Sequence, residues 1–196
     1  MKRLFDILFS LLLLVVLFPL LVIISIIVTI TSGFPLFFTQ QRVGQNRELF
    51  RLIKFRSMLV KRGTEKGSFD VGNLSRVTYI GKILRKTKMD ELPQLLNVLW
   101  GDMSLVGPRP EVEKWTKVYP ERWDKVLSVK PGITDNASIE FRNEEELLAK
   151  AKDPEETYRN FILPIKLSLY EKYVDENSVK GDIVILYKTV KTVLFS

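Results

Sequence analysis

No charged residue occurs between Ile7 and Gln41, and Leu4 to Ile30 is almost entirely Leu, Ile, Val and Phe. A hydrocarbon core is spanned by about 20 apolar residues, so this run is long enough to enter a bilayer. A cleaved signal peptide fits poorly: the apolar stretch is too long and no small-residue cleavage site follows it. Pro19 falls near its middle, where it removes a helix hydrogen bond and kinks the chain. Basic residues flank both ends, Lys2 and Arg3 before and Arg42, Arg47, Arg51, Lys54 and Arg56 after. Lys and Arg concentrate on the cytoplasmic side. The pattern therefore admits two readings: a segment that enters and leaves by one face, or a bitopic helix with a proline kink.

The 196-residue chain divides into this anchor, residues 1–35, and one further domain, residues 36–196. About 160 residues suffice for one core. Thirty Lys and Arg against 23 Asp and Glu give a net charge of +7, which favours anionic partners. There is no Cys and no His. Disulfides, thiolate metal sites, Ser-His-Asp catalysis and His-ligated zinc are thereby excluded. Any bound metal must be held by oxygen, which points to Mg²⁺, Mn²⁺ or Ca²⁺.

Residues 36–60 read as short strands or interfacial turns, and the polar, glycine-containing stretch 61–74 as a mobile loop. Ser75 is placed to cap a helix bearing Val77, Ile80 and Leu84. Asp90 is a second cap candidate, before a stripe of Leu92, Leu95, Leu96 and Leu99, with Pro93 in the first turn and Gly101 at the stop. Asp153-Pro154 opens another helix, which Pro164 should bend. At the C-terminus Ile183, Leu186, Tyr187, Val190 and Leu194 share a face, suited to a core or to a membrane surface.

Two constellations carry chemistry. Asp90-Glu91 is a paired acid at a helix start, where carboxylates serve routinely as caps. An ionised Asp there is also a phosphoryl nucleophile, in a place that attracts phosphate. Gly107-Pro108-Arg109-Pro110 fixes one arginine between two prolines, and a guanidinium on a stiff support holds phosphate bidentately. Lys54, Arg56 and Arg85 are cations able to converge on the same anion, although charge runs usually form solvated surfaces. Asp102 is placed either to ligate metal or to complete the helix stop.

At these residues the chain resembles the small monotopic phosphoglycosyl transferases, the bacterial sugar transferase family acting on polyprenol phosphate. The likeness runs nearly end to end, through FTQQRVG (38–44), KFRSM (54–58), MDELPQLLNVLWGDMSLVGPRP (89–110) and KPGIT (130–134). It implies an α+β, mainly helical fold: a re-entrant membrane helix broken at Pro19, amphipathic helices on the inner leaflet of the bacterial cytoplasmic membrane, and a small cytoplasmic catalytic domain. It implies a UDP-sugar donor, a polyprenol (undecaprenyl) phosphate acceptor and Mg²⁺. Asp90 would be the nucleophile that forms an aspartyl-phosphosugar and releases UMP. Glu91 would assist by metal binding with Asp90 or by handling the acceptor proton. Arg109 would bind phosphate, with Lys54 and Arg85 beside the dyad and Arg142 on the nucleotide or sugar. Two departures stand out: Phe18-Pro19 replaces a common Ser-Pro, and Pro-Gly-Ile-Thr continues as Asp-Asn-Ala-Ser instead of Gly-Trp-Ala-Gln.

Three alternatives remain at this level. A metal-bound dyad that deprotonates the acceptor for direct attack predicts no covalent intermediate. A membrane-anchored scaffold for glycan assembly predicts no turnover. A nucleic-acid binder fits the charge, but no nucleic-acid motif accompanies it, so nucleic acid is not an expected partner. Oligomeric state is left open.

Overall fold

The computed structural model describes residues 1–59 and 76–195. The loop expected over 61–74 and the cap expected at Ser75 lie outside the described residues. The anchor is one helix, α1 (Lys2–Ser32), whose backbone stays helical through Pro19. The break expected at that proline is corrected to a proline inside a continuous helix. The physical reason is the surrounding sequence: in an apolar run nothing else satisfies backbone N–H and C=O groups, so the helix persists on both sides.

One stripe of α1 faces the rest of the protein along its whole length. Asp6, Ser10, Ile24 and Val28 are buried, with Leu13, Leu14, Leu20 and Leu21 half-buried between them. These positions recur every three or four residues, one face of a helix. The opposite face, including Leu8, Leu12, Val15, Val16, Ile23 and Ile30, is exposed and apolar. By length and composition α1 can cross a membrane.

Strands β1 (Phe37–Val43) and β2 (Leu49–Phe55) form an antiparallel hairpin running from Phe37 opposite Phe55 to Val43 opposite Leu49. The expectation of short strands over 36–60 is met here. Helix α2 (Tyr79–Lys86) is capped by Thr78, whose hydroxyl accepts from Gly81 N–H at 2.9 Å. A single 3₁₀ turn (Met89–Glu91) then leads into α3 (Gln94–Trp100), which stops at Gly101 in a left-handed conformation. Strands β3 (Ser104–Val106) and β4 (Gly132–Thr134) pair in parallel, Ser104 with Gly132 and Val106 with Thr134. Their crossover carries α4 (Glu113–Thr116) and α5 (Pro120–Val126).

Helices α6 (Asn136–Glu140) and α7 (Glu144–Ala149) follow. Asp153 caps α8 (Pro154–Thr157) as the sequence suggests, accepting from Glu156 N–H at 2.9 Å. A π turn (Tyr158–Ile162) separates it from α9 (Leu163–Glu176), so Pro164 falls in the first turn of a new helix. The last helix, α10 (Val179–Phe195), exposes Ile183, Tyr187 and Val190 and buries Asp182 and Ile185. Of the face predicted from its periodicity, Ile183, Tyr187 and Val190 point outward, as an interfacial helix requires, while Leu186 packs against the core.

The core has three parts. Trp115, Trp123, Tyr158, Leu163, Leu167 and Tyr170 pack α4, α5 and α9 together. Leu95, Val98, Met103, Leu105 and Val106 join α3 and β3, with Phe5, Leu13 and Leu14 of the anchor against them. Ile24 and Val28 pack with Phe55 and Leu84. The anchor is therefore a wall of the core rather than a tether.

Candidate active site

The centre is built where three segments meet: the end of β2, the 3₁₀ turn and the loop after β3. Glu91 is buried, yet both its oxygens are claimed. Lys54 Nζ lies 2.8 Å from Oε1, Arg109 Nη2 lies 2.5 Å from Oε1, and Arg109 Nη1 lies 3.2 Å from Oε2. Burial alone would raise the Glu91 carboxyl, but Arg109 and Lys54 outweigh it and hold Glu91 well below the ordinary carboxylate range. In return the Glu91 charge drives the Arg109 guanidinium further up. Burial pulls the Lys54 ammonium down, against the charge of Glu91.

Asp90 differs from its neighbour. It is 5% exposed, and its Oδ1 has no hydrogen-bond partner. Burial raises its pKa, Lys54 opposes that rise, and the adjacent Glu91 charge adds to it. The capping role open to it in sequence is not what the fold uses, because Asp90 sits inside the 3₁₀ turn that Lys88 precedes in a left-handed conformation. A buried acceptor left unpaired costs roughly 1–3 kcal/mol. That cost is borne at one atom, within the field of Lys54, Lys88 and Arg85.

Two glycines explain the position of Arg109. Gly107 N–H donates to Thr134 O at 3.1 Å and Gly132 N–H to Pro108 O at 2.9 Å. A Cβ on Gly132 would lie 2.1 Å from Gly107 N, and one on Gly107 would lie 2.5 Å from Lys130 O. The motifs 104–110 and 130–134 are thus two sides of one backbone contact that only glycine permits. On the far side Arg42 Nη1 donates to Pro110 O at 3.2 Å, and Val43 N–H donates to Glu111 O at 2.9 Å. Behind this loop Glu111 accepts from Tyr158 Oη at 2.5 Å and faces Lys166 at 3.5 Å and Arg42 at 3.4 Å. Burial would raise Glu111, but Lys166 and Arg42 bring it below the usual range.

The structure therefore assembles Asp90, Glu91, Lys54 and Arg109. Arg85 pairs with Glu145 of α7 at 2.8 Å, and its charge still reaches Asp90. Arg142 donates to the Thr192 carbonyl in the last turns of α10, not to the dyad. Arg56 does not join the anion site either. It donates to the Ser32 and Gly33 carbonyls and so caps the C-terminal end of α1. Asp102 accepts from Asn97 Nδ2 at 3.1 Å, which makes it part of the α3 stop.

Sequence reasoning missed Asp6, Glu111, Lys166 and Asp182, all buried. Asp6 had a signal: it is the sole acid before Glu48. The others are ordinary-looking charges in helices and loops, and only tertiary packing singles them out.

For a cation such as Mg²⁺, which takes one or two carboxylates plus substrate phosphates, the free Oδ1 of Asp90 fits. Glu91 fits poorly, since Lys54 and Arg109 occupy its oxygens. Among the described residues no group of three or more acidic side chains is placed to enclose a metal.

A paired acid and a clamped arginine beside it, on a chain whose first helix is long and apolar enough to cross a membrane, are features expected of a membrane-associated enzyme. The chain belongs to the family of bacterial sugar transferases, whose profile it matches over residues 1–196. It is 35% identical to the undecaprenyl-phosphate galactose phosphotransferase of Salmonella typhimurium, over 99% of this chain and 40% of that protein. It is 42% identical to a UDP-glucose:undecaprenyl-phosphate glucose-1-phosphate transferase of Klebsiella pneumoniae, over 76% of this chain and 33% of that protein. With the uncharacterized sugar transferase EpsL of Bacillus subtilis it shares 38% identity, over 100% of this chain and 88% of the relative. The chain thus spans two fifths or less of the first two and most of the third.

Proposed function

We propose that this protein transfers a phosphosugar from a UDP-sugar to polyprenol phosphate at the cytoplasmic face of the bacterial inner membrane. The observation that carries the reading is the contrast within the dyad: Glu91 is fully engaged by two cations, whereas Asp90 presents a buried, unpartnered oxygen. A desolvated carboxylate with a raised pKa is a stronger nucleophile than a solvated one.

In the first step an Asp90 oxygen attacks the sugar-bearing phosphorus. A P–O bond forms to Asp90, the bond to the oxygen bridging the two phosphates breaks, and that oxygen leaves with UMP. In the second step a phosphate oxygen of the acceptor attacks the same phosphorus. The aspartyl bond breaks, and Asp90 returns as carboxylate with polyprenol-diphosphate-sugar as product. Arg109 and Lys54 exchange part of their contact with Glu91 for the donor phosphates and stabilise charge in transfer. Glu91, held ionised far below neutrality, is suited to ordering those cations rather than to accepting protons. Bound Mg²⁺ would neutralise the diphosphate, with Asp90 as its protein ligand.

Support for a monotopic anchor comes from both ends of α1. Lys2 Nζ contacts Asp182 at 2.5 Å and Val106 O at 3.1 Å, while Arg56 binds the Ser32 and Gly33 carbonyls. Relatives named for galactose and for glucose transfer make UDP-galactose and UDP-glucose the first donors to try.

The test is UMP release from a panel of UDP-sugars by solubilised protein with Mg²⁺ and undecaprenyl phosphate. Release with one sugar identifies the donor, and Asp90→Asn should abolish it. A radiolabelled donor sugar should remain on the wild-type protein when acceptor is omitted. Turnover without trapped label would sink the covalent step and restore direct attack.

A further inference from the structure

An apolar anchor has no need of a buried acid, yet Asp6 is 2% exposed. Its carboxylate is held by two donors of one strand: the single Ser104 hydroxyl, whose Oγ lies 3.1 Å from Oδ1 and 2.9 Å from Oδ2, and Leu105 N–H, 3.1 Å from Oδ1. A buried carboxylate is tolerated only when paired or hydrogen-bonded, and here the donors are Ser104 and Leu105 of β3. The strand ends at Val106, whose carbonyl accepts from Tyr173 Oη at 2.9 Å as well as from Lys2. Beyond it, Gly107 and Pro108 are bonded to β4, and Arg109 follows. Pro110 and Glu111 are fixed by Arg42 and Val43. Arg109 is thus suspended between two backbone clamps, and the first is seated on the second turn of the membrane anchor.

We propose that Asp6 is a positioning residue for Arg109, coupling the docking of the anchor to the placement of the phosphate-binding guanidinium. The proposal rests on the phosphosugar-transfer reading for its kinetic test, but it has a second readout that does not. A side chain that served only to hold α1 would lower stability without acting through Arg109. One that positions Arg109 changes the energetics of that arginine, and a double-mutant cycle separates the two.

Asp6→Ala and Asp6→Asn are made in the wild-type and in an Arg109→Lys background. UMP release is measured against donor concentration at saturating acceptor. Asp6→Ala should lower kcat/KM about tenfold, mostly through KM. Asp6→Asn, whose amide oxygen still accepts from Leu105 N–H, should stay within about threefold of wild type. In the Arg109→Lys background Asp6→Ala should add less than about twofold. An equal loss in both backgrounds, or no loss in either, overturns the proposal. Should Asp6→Ala not fold, Ser104→Ala removes one of the two donors and carries the same cycle, with a loss of about threefold expected.

The second readout is the rate at which phenylglyoxal modifies Arg109, followed by peptide mass spectrometry, with Arg47 on the β1–β2 turn as internal control. Asp6→Ala should raise the Arg109 rate several-fold and leave Arg47 unchanged. An unchanged Arg109 rate overturns the positioning role whether or not the wild-type protein releases UMP. Failure of the wild-type protein to release UMP counts against the transfer reading alone.

Discussion

Asp90 and Glu91 are neighbours with opposite electrostatics, and the signs can be read in stability. Burial raises the Asp90 pKa in the folded state, so its ionised form is disfavoured there. Above that pKa the residue lowers stability, and below the unfolded value of about 4 it does not. Asp90→Asn should therefore raise Tm at pH 7–8 while abolishing turnover, and the gain should vanish as pH falls below about 4. Glu91 is the reverse. Despite burial, Arg109 and Lys54 depress its pKa, so its contribution is present above the unfolded value of about 4.3 and is lost as pH falls through the folded one. Glu91→Gln should cost roughly 2 kcal/mol at pH 7, less than a fully buried pair because Lys54 and Arg109 keep some exposure. Thermal melts of both variants from pH 4 to 8 check the pair of signs; a Tm drop for Asp90→Asn at pH 7 refutes the first. Because turnover needs ionised Asp90, its acid limb should lie above the pH of about 4 expected for a solvated Asp.

At the scale of elements, the site is made by backbone contacts more than by side-chain packing. The parallel pair β3–β4 has only three residues per strand, too short to define itself by pattern. Its register comes from Gly107 against Gly132, where no Cβ fits. Gly132→Ala should therefore cost 3 kcal/mol or so, at the upper end of overpacking penalties, because the obstacle is backbone and cannot turn away. Any folded fraction should show a raised donor KM, since Arg109 lies two residues past Gly107; denaturant melts and UMP kinetics measure both. This explains what was legible in the chain. The anchor, the strands at 36–60, the Gly101 stop and the Asp153 cap follow local rules and were readable. The gathering of Lys54, Glu91 and Arg109 was visible as a motif set, but not that Glu91 would take both cations and leave Asp90 bare. Arg56 and Arg142 read as anion ligands because charge has no direction in sequence; in the fold each meets helix carbonyls instead. The proline break failed because local propensity at Pro19 is overridden by an apolar run that leaves helix as the sole way to satisfy its backbone.

The molecule as a whole constrains where the bilayer lies. An α1 of 31 residues is roughly 46 Å long, more than the hydrocarbon thickness of about 30 Å. A bitopic anchor would hold its N-terminus a membrane away from the catalytic body. Here Lys2 pairs with Asp182, and Arg3 donates to Val98 O at 2.5 Å and Leu99 O at 2.9 Å. The other end is closed by Arg56 on the Ser32 and Gly33 carbonyls. With both ends and the stripe between them on one body, the outer face of α1 is left free for a bilayer, as are the outward apolar residues of α10. Neither terminus should then be reachable from outside the cell. The chain contains no Cys, so single cysteines added before Met1 or in place of Ser196 report without background. Both should resist a membrane-impermeant maleimide in intact cells and react after permeabilisation. Labelling of the N-terminal cysteine alone in intact cells would mean that α1 crosses the membrane, and that the Lys2–Asp182 contact does not exist there.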